Sequence, residues 1–390
     1  MPVKLASRFL ADASVGLSSR DSGLLRRAVE TLVGNTVGPE GKPWAPHRGI
    51  IPSFGTYEGV WNWDAAFHAL AVARWDPELA WEQAYVFFDH QRSDGGFVDV
   101  LWSAGGIVDD FGKPPVWPWA LRLVEERAPG QGDLRRAYDS FVSNERHWLE
   151  RRCQGGFFHY DSASREGDWI QQAKFESGWD NSVRWDGGIV EVWPVDLNGY
   201  MTMYYEAMAF FAEQLRLDFS NWRSKAIAQA KNLEERLWND AAGAYMDFNF
   251  KTGQFTGVLT PASFVPLFCG SASPARAARM AELAADPAAF FPGLPTVAYS
   301  DPAYSRDMWR GPCWLNTAYF ALDGLRRYGF VEVADRIRET ILDWCAAEEH
   351  LREYYDARTG EGLAAVGFGW TAAFVIELIL DWRSTSSVES

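Results

Sequence analysis

Apolar residues recur every three to four positions through most of this chain, the spacing of helices that lay one face on a core. The pattern begins over 22–34, where Leu24, Leu25, Ala28, Leu32 and Val33 share one side. It resumes over 64–75. Asp76-Pro77, a capping acid followed by proline at the first helical position, then opens a helix to about residue 90. Further helical spacing covers about 116–127, 132–151, 197–216, 220–238, 274–285, 312–328, 331–347 and 371–382, with a short stretch at 262–268. Period-two alternation is sparse: 245–255, with Lys251-Thr252-Gly253 as its turn, predicts one small β-hairpin. No strand–helix alternation of the kind that builds a parallel sheet occurs. The expected fold is all-α, about a dozen helices paired as hairpins in an (α/α)6 toroid. It forms one domain over 1–383, with 384–390 as a frayed tail. The ends of the inner helices of such a ring line a funnel. Loops 55–64, 94–115, 166–196, 304–314 and 353–370 hold most of the unusual residues and are expected to face it.

Composition narrows the chemistry. The 37 Lys plus Arg against 52 Asp plus Glu give a net charge of −15. That average field repels phosphate backbones and anionic membrane surfaces, so neither nucleic acid nor membrane is an expected partner. The first twenty residues lack the basic start and apolar run of a signal peptide, and no stretch approaches the roughly 20 apolar residues that span a bilayer. Cys153, Cys269, Cys313 and Cys345 are scattered without metal-type spacing, which predicts reduced, mostly buried thiols in a cytoplasmic protein. The six histidines form no close metal pair, and no nucleotide-binding loop or nucleophile elbow is present, so neither metal nor cofactor is expected. Twenty Trp exceed what a core of this size needs. Some are therefore expected to line a cleft.

Two segments hold carboxylates among aromatic, glycine and amide residues. One is Glu176-Ser177-Gly178-Trp179-Asp180-Asn181-Ser182, followed by Arg184-Trp185-Asp186; the other is Arg352-Glu353-Tyr354-Tyr355-Asp356, followed by Thr359-Gly360-Glu361-Gly362. A carboxyl against an aromatic wall is desolvated, and its pKa rises toward that of a usable proton donor. An acid and a base of this kind are the minimum equipment for cleaving a glycosidic bond, which makes a small carbohydrate the expected partner. Asp180 also fits a turn or helix cap, Glu353 a solvated helix end with Glu361 as rival base, and each Trp a place in the core.

Five segments in order resemble the motif series of glycoside hydrolase family 63, with the family 37 trehalases similar. They are Trp61-Asn62-Trp63-Asp64, Ser177 to Ser182, Val195-Asp196-Leu197-Asn198, Trp309-Arg310-Gly311-Pro312-Cys313-Trp314 and Glu353-Tyr354-Tyr355-Asp356, and the likeness runs from about residue 44 to 382. The resemblance implies an (α/α)6 barrel and an inverting exo-acting α-glucosidase or α-mannosidase. It places the general acid at Asp180 and the general base at Glu353, and it gives Trp63 and Asp64 a hold on the non-reducing sugar. The substrate-binding candidates are Trp61, Trp63, Asp64, Lys113, Trp179, Asn181, Arg184, Trp309, Arg310, Gly311, Tyr355 and Trp370, with Trp314 a further candidate for the sugar platform. The chain looks most like the small bacterial members, which include mannosylglycerate and glucosylglycerate hydrolases; trehalose is a further candidate substrate.

Two departures stand out. Gly112-Lys113-Pro114-Pro115 occurs where trehalases and many relatives carry Gln-Pro-Pro. Glycerate-specific relatives place an arginine shortly before the helix near Leu197, whereas Glu191-Val192-Trp193-Pro194 has none, leaving Lys113 or Arg184 to meet an acceptor carboxylate. A sugar epimerase on the same toroid, working through His47 or His159, and a non-catalytic sugar-binding protein are the competing readings.

Overall fold

The computed structural model describes residues 2–386. Its architecture follows from which helices tolerate exposure. Every residue of Asn62–Val72 is buried, as is nearly every residue of Val195–Gln214 and Leu315–Arg327. Helices buried on all sides belong inside. Six such segments close a ring: Asn62–Val72, Trp117–Arg127, Val195–Gln214, the 3-10 turn Pro261–Phe264 running into Val265–Phe268, Leu315–Arg327 and Gly369–Ser386. Each packs on the next, and the last returns to the first. The amphipathic helices form the outer layer. Ser19–Gly34 packs on Gly369–Ser386, Pro77–Asp89 on Asn62–Val72, Leu134–Arg151 and Ser220–Arg236 on Val195–Gln214, and Val331–Ala347 on Leu315–Arg327. Pro274–Ala285 lies against Val331–Ala347. This is the expected (α/α)6 barrel.

Local chemistry sets the helix starts. Ser18, Asp76 and Asp133 each accept a hydrogen bond from a backbone N–H three residues on, at 3.0, 3.0 and 2.9 Å, and Pro77 follows Asp76 as anticipated. Two helices were not expected: Pro2–Ala13, and Trp169–Ser177 inside the loop predicted over 166–196, capped by Asp168. The final helix runs to Ser386 rather than stopping at Trp382, so the expected tail begins inside it, and residues 387–390 lie outside the described residues.

The strand expectation undercounted. The predicted hairpin exists as Phe248–Asn249 against Gln254–Phe255, and Val192–Trp193 extends it; Ala244–Tyr245 pairs instead with Trp238–Asn239. Further small sheets staple the loops. Gly59–Trp61 pairs with Val100–Trp102, and Arg352–Tyr355 with Gly362–Val366. Glu353, weighed as a helix end, sits on a strand. Among the described residues no helix is long and apolar enough to cross a membrane. All four cysteines are free, three of them buried and Cys153 half-buried.

Candidate active site

The inner helices begin at one end of the barrel, and the segments just before or at those starts bring the motif residues together. They enclose a cavity of about 430 Å³ of empty space, open mouth included. Trp61, Trp63 and Asp64 enter from the start of one inner helix, Lys113 precedes the next, and Asp180 comes from the loop before the third. Met308, Trp309 and Trp314 precede the fifth; Glu353, Phe368 and Trp370 flank the start of the sixth.

Glu353 is aimed by its strand. The register between Arg352–Tyr355 and Gly362–Val366 shifts between Arg352 and Tyr354, a bulge that turns the side chain at 353 toward the cavity. Opposite it, Ala364 adopts a positive φ of 57°, a conformation that costs a residue with a Cβ energy. The strained turn presents the next N–H, that of Ala365, to Glu353 Oε2 at 3.1 Å, while Tyr57 donates its hydroxyl to Oε1 at 3.0 Å. Burial raises the Glu353 pKa, and these two donors oppose the rise by favouring the anion.

Asp180 stands in the opposite setting. It follows Gly178, which ends Trp169–Ser177 in the left-handed conformation at φ 73° and packs so closely that an added Cβ would lie 2.4 Å from the Trp63 ring. Its Oδ1 is buried without a hydrogen-bond partner. Desolvation pushes Asp180 up to about 7, opposed by the Lys113 ammonium and reinforced by the charges of Asp99 and Glu353. A carboxyl left neutral near pH 7 and a second stabilised as the anion thus share one cavity.

Lys113 anchors a third carboxyl group. Its ammonium donates to the Phe175 carbonyl at 2.5 Å and pairs with Asp99 Oδ1 at 3.3 Å. Asp99 is pushed up to about 6 by burial, against the pull of Lys113. Asp64, in the first turn of Asn62–Val72, is raised well above the usual carboxylate range, chiefly by burial. Around these polar groups stands an aromatic wall. Trp309 and Trp314 stack at 4.0 Å with planes 6° apart, and Trp370 meets Trp63 edge-on at 5.2 Å. Met308 lines the cavity with a positive φ of 41°, and its carbonyl accepts from Trp314 Nε1 at 2.8 Å.

The remaining candidates do not reach the cavity, each for a visible reason. Arg184 is fully buried in bidentate pairs with Asp196 at 2.7 and 2.8 Å and Asp247 at 2.8 and 2.9 Å. Trp179 lies behind Trp309, with the Arg184 guanidinium over its other side at 4.8 Å. Asn181 accepts from the Trp309 N–H at 3.0 Å and donates to Asp307 at 2.9 Å, so it tethers the wall. Arg310 forks onto Asp186 at 2.9 and 2.8 Å. Gly311 donates to Thr296 Oγ1 at 2.9 Å, and a Cβ there would strike the Ser305 carbonyl. Tyr355 is buried, and its backbone pairs with Cys313. Glu361, the rival base, is exposed and bound to Arg306 at 2.5 Å. Glu176 is engaged in a buried pair with Arg152 at 2.9 Å. Tyr57, Gly178, Met308 and Phe368 line the cavity without having been singled out; only Tyr57, four residues before Trp61 in a motif loop, carried a usable signal. No histidine lines it among the described residues.

Known proteins carry the same arrangement of segments. Residues 57–371 match the mannosylglycerate hydrolase MGH1-like glycoside hydrolase domain. The chain is 25% identical to the mannosylglycerate hydrolase of Thermus thermophilus, over 84% of this chain and 95% of that one, and 26% identical to that of Rubrobacter radiotolerans, over 83% and 91%. The fold superposes on a crystal structure of a family 63 mannosylglycerate hydrolase from Thermus thermophilus in complex with glucose, with a TM-score of 0.78 and 25% identity over 90% of this chain and 99% of that one. The chain belongs to the MGH1-like glycoside hydrolases of family 63 and is a hydrolase of glycosidic bonds.

Proposed function

We infer that the protein is an inverting, exo-acting α-glucosidase or α-mannosidase in which Asp180 is the general acid and Glu353 the general base. The observation that carries this reading is the pairing of one unbonded, desolvated carboxyl with one twice-bonded carboxylate across a single cavity. The non-reducing sugar enters against the wall of Trp63, Trp309, Trp314 and Trp370, where Asp64 and Lys113 meet its hydroxyls. Asp180 gives its proton to the glycosidic oxygen as the bond to the anomeric carbon breaks. Glu353 takes a proton from a water that attacks the opposite face of the ring, so the sugar leaves with inverted configuration. The charge of each carboxylate raises the pKa of its partner, which favours one shared proton over none. The relatives named for mannosylglycerate and the glucose-bound structure support a hexose in this pocket. Free cysteines support a cytoplasmic enzyme.

Proton NMR of an α-glucoside or α-mannoside digest tests the mechanism. The β-anomer appears first and mutarotates afterwards. An α-anomer released first overturns inversion.

A further inference from the structure

What leaves the cavity matters as much as what stays. The following rests on the glycosidase reading above and concerns the leaving group. Three carboxyl groups, Asp64, Asp180 and Glu353, line the cavity against Lys113, the one cation among the described residues of its wall. Lys113 is engaged by Asp99 and the Phe175 carbonyl. The arginines of the surrounding loops are committed as well: Arg184 to Asp196 and Asp247, Arg310 to Asp186, Arg306 to Asp356 and Glu361. The segment ahead of Val195–Gln214 offers no positive charge either. Val192 and Trp193 are buried in their small sheet, and Glu191 is turned to Lys251 at 2.6 Å. A carboxylate on the leaving group would meet a field of its own sign.

The rim offers aromatic surface instead. Trp61 lines the cavity, and its ring meets that of Trp102 edge-on at 4.7 Å. Trp102 is 38% exposed, unusual for the largest side chain in a protein that hides most of its tryptophans. Pro52 and Tyr57 line the cavity at the two ends of a turn whose tip, Phe54, is 57% exposed. The carbonyl of Val366, itself 45% exposed, accepts from Ser53 Oγ at 2.7 Å. An exposed apolar strip therefore continues outward from the sugar pocket.

We propose that the leaving group of this enzyme is an uncharged second sugar ring, packed on Trp102 at the rim, and not a carboxylate-bearing acid such as glycerate. Repulsion at about 8 Å in a medium of effective dielectric about 20 makes a carboxylate the poorer aglycone by about tenfold or more.

The test compares kcat/KM of the full chain on neutral α-linked disaccharides of glucose and mannose with that on glucosylglycerate and mannosylglycerate, and with α-glucosyl and α-mannosyl fluoride as aglycone-free controls. The expected result is at least a tenfold advantage for the best disaccharide over the better glycerate compound, narrowing on the glycerate side as salt is raised. Trp102→Ala is expected to raise KM for that disaccharide about fivefold, while inhibition by the free monosaccharide stays unchanged. A preference for either glycerate compound, equal rates, or a Trp102→Ala variant with unaltered KM overturns the proposal. Hydrolysis of the fluorides alone overturns the aglycone assignment and leaves the glycosidase reading standing. Inertness toward every compound overturns both.

Discussion

Replacing Tyr57 with phenylalanine removes one oxygen and one of the two hydrogen bonds that hold Glu353 as an anion. The ring itself has other duties that phenylalanine keeps, against Trp61 at 5.4 Å and Phe368 at 5.8 Å. A hydrogen bond to a charged acceptor contributes about 1.5–3 kcal/mol. The hydroxyl also bonds the protonated acid, though more weakly, so the difference between the two states falls at the low end of that range. At about 1.4 kcal/mol per pH unit, the acidic limb of the kcat/KM profile moves up by about one unit. The sign is fixed: the donor stabilises the ionised form, its loss raises the Glu353 pKa, and a base must be ionised to act. The basic limb, set by Asp180 near 7, stays in place, so the bell narrows from the acid side and the rate at pH 5 falls about tenfold. Stopped assays of kcat/KM across about pH 4–9, with melting temperature as a control for folding, measure this. An acidic limb that stays put or moves down refutes the assignment of Glu353 as the base held by Tyr57.

Lys113→Met acts on the other limb. Removing the cation lifts Asp180, and freeing Asp99 adds repulsion of the same sign, so the basic limb moves to higher pH while the acidic limb holds; a basic limb shifted downward contradicts the described charge balance. Arg184→Met leaves Asp196 and Asp247 buried without their counter-ion and is expected to cost about 3–5 kcal/mol of stability in calorimetry. KM of the folded fraction should be unchanged, and a loss under about 1 kcal/mol with a raised KM would instead place Arg184 at the sugar.

The helices were legible because each must bury a stripe: the spacing of Leu24, Leu25, Ala28 and Leu32 says as much without coordinates. Trp169–Ser177 was not legible, since Gln171, Gln172 and Lys174 break its apolar pattern. The strands were hidden by length, for two residues show no alternation. The site was legible in part. Asp180, Glu353, Trp63 and Lys113 were named from their segments and meet at one cavity. Arg184, Asn181 and Arg310 come from the same motifs and turn away from it. A motif records residues that a fold needs together, and the ones that brace the wall from behind look, in one dimension, like the ones that touch the sugar. Tyr57 and Met308 carry the converse lesson, since their part depends on a strand bulge and a strained backbone that composition does not announce.

The division of labour between the two carboxyl groups is the central claim, and α-glycosyl fluorides test it most directly. Fluoride departs without being protonated, so it needs the base and not the acid. Asp180→Asn is predicted to lose about a thousandfold or more in kcat on an O-linked substrate and to retain near wild-type turnover of the fluoride, whereas Glu353→Gln is predicted to lose both. Equal loss on the fluoride for the two variants, or rescue of Glu353→Gln alone, contradicts the account.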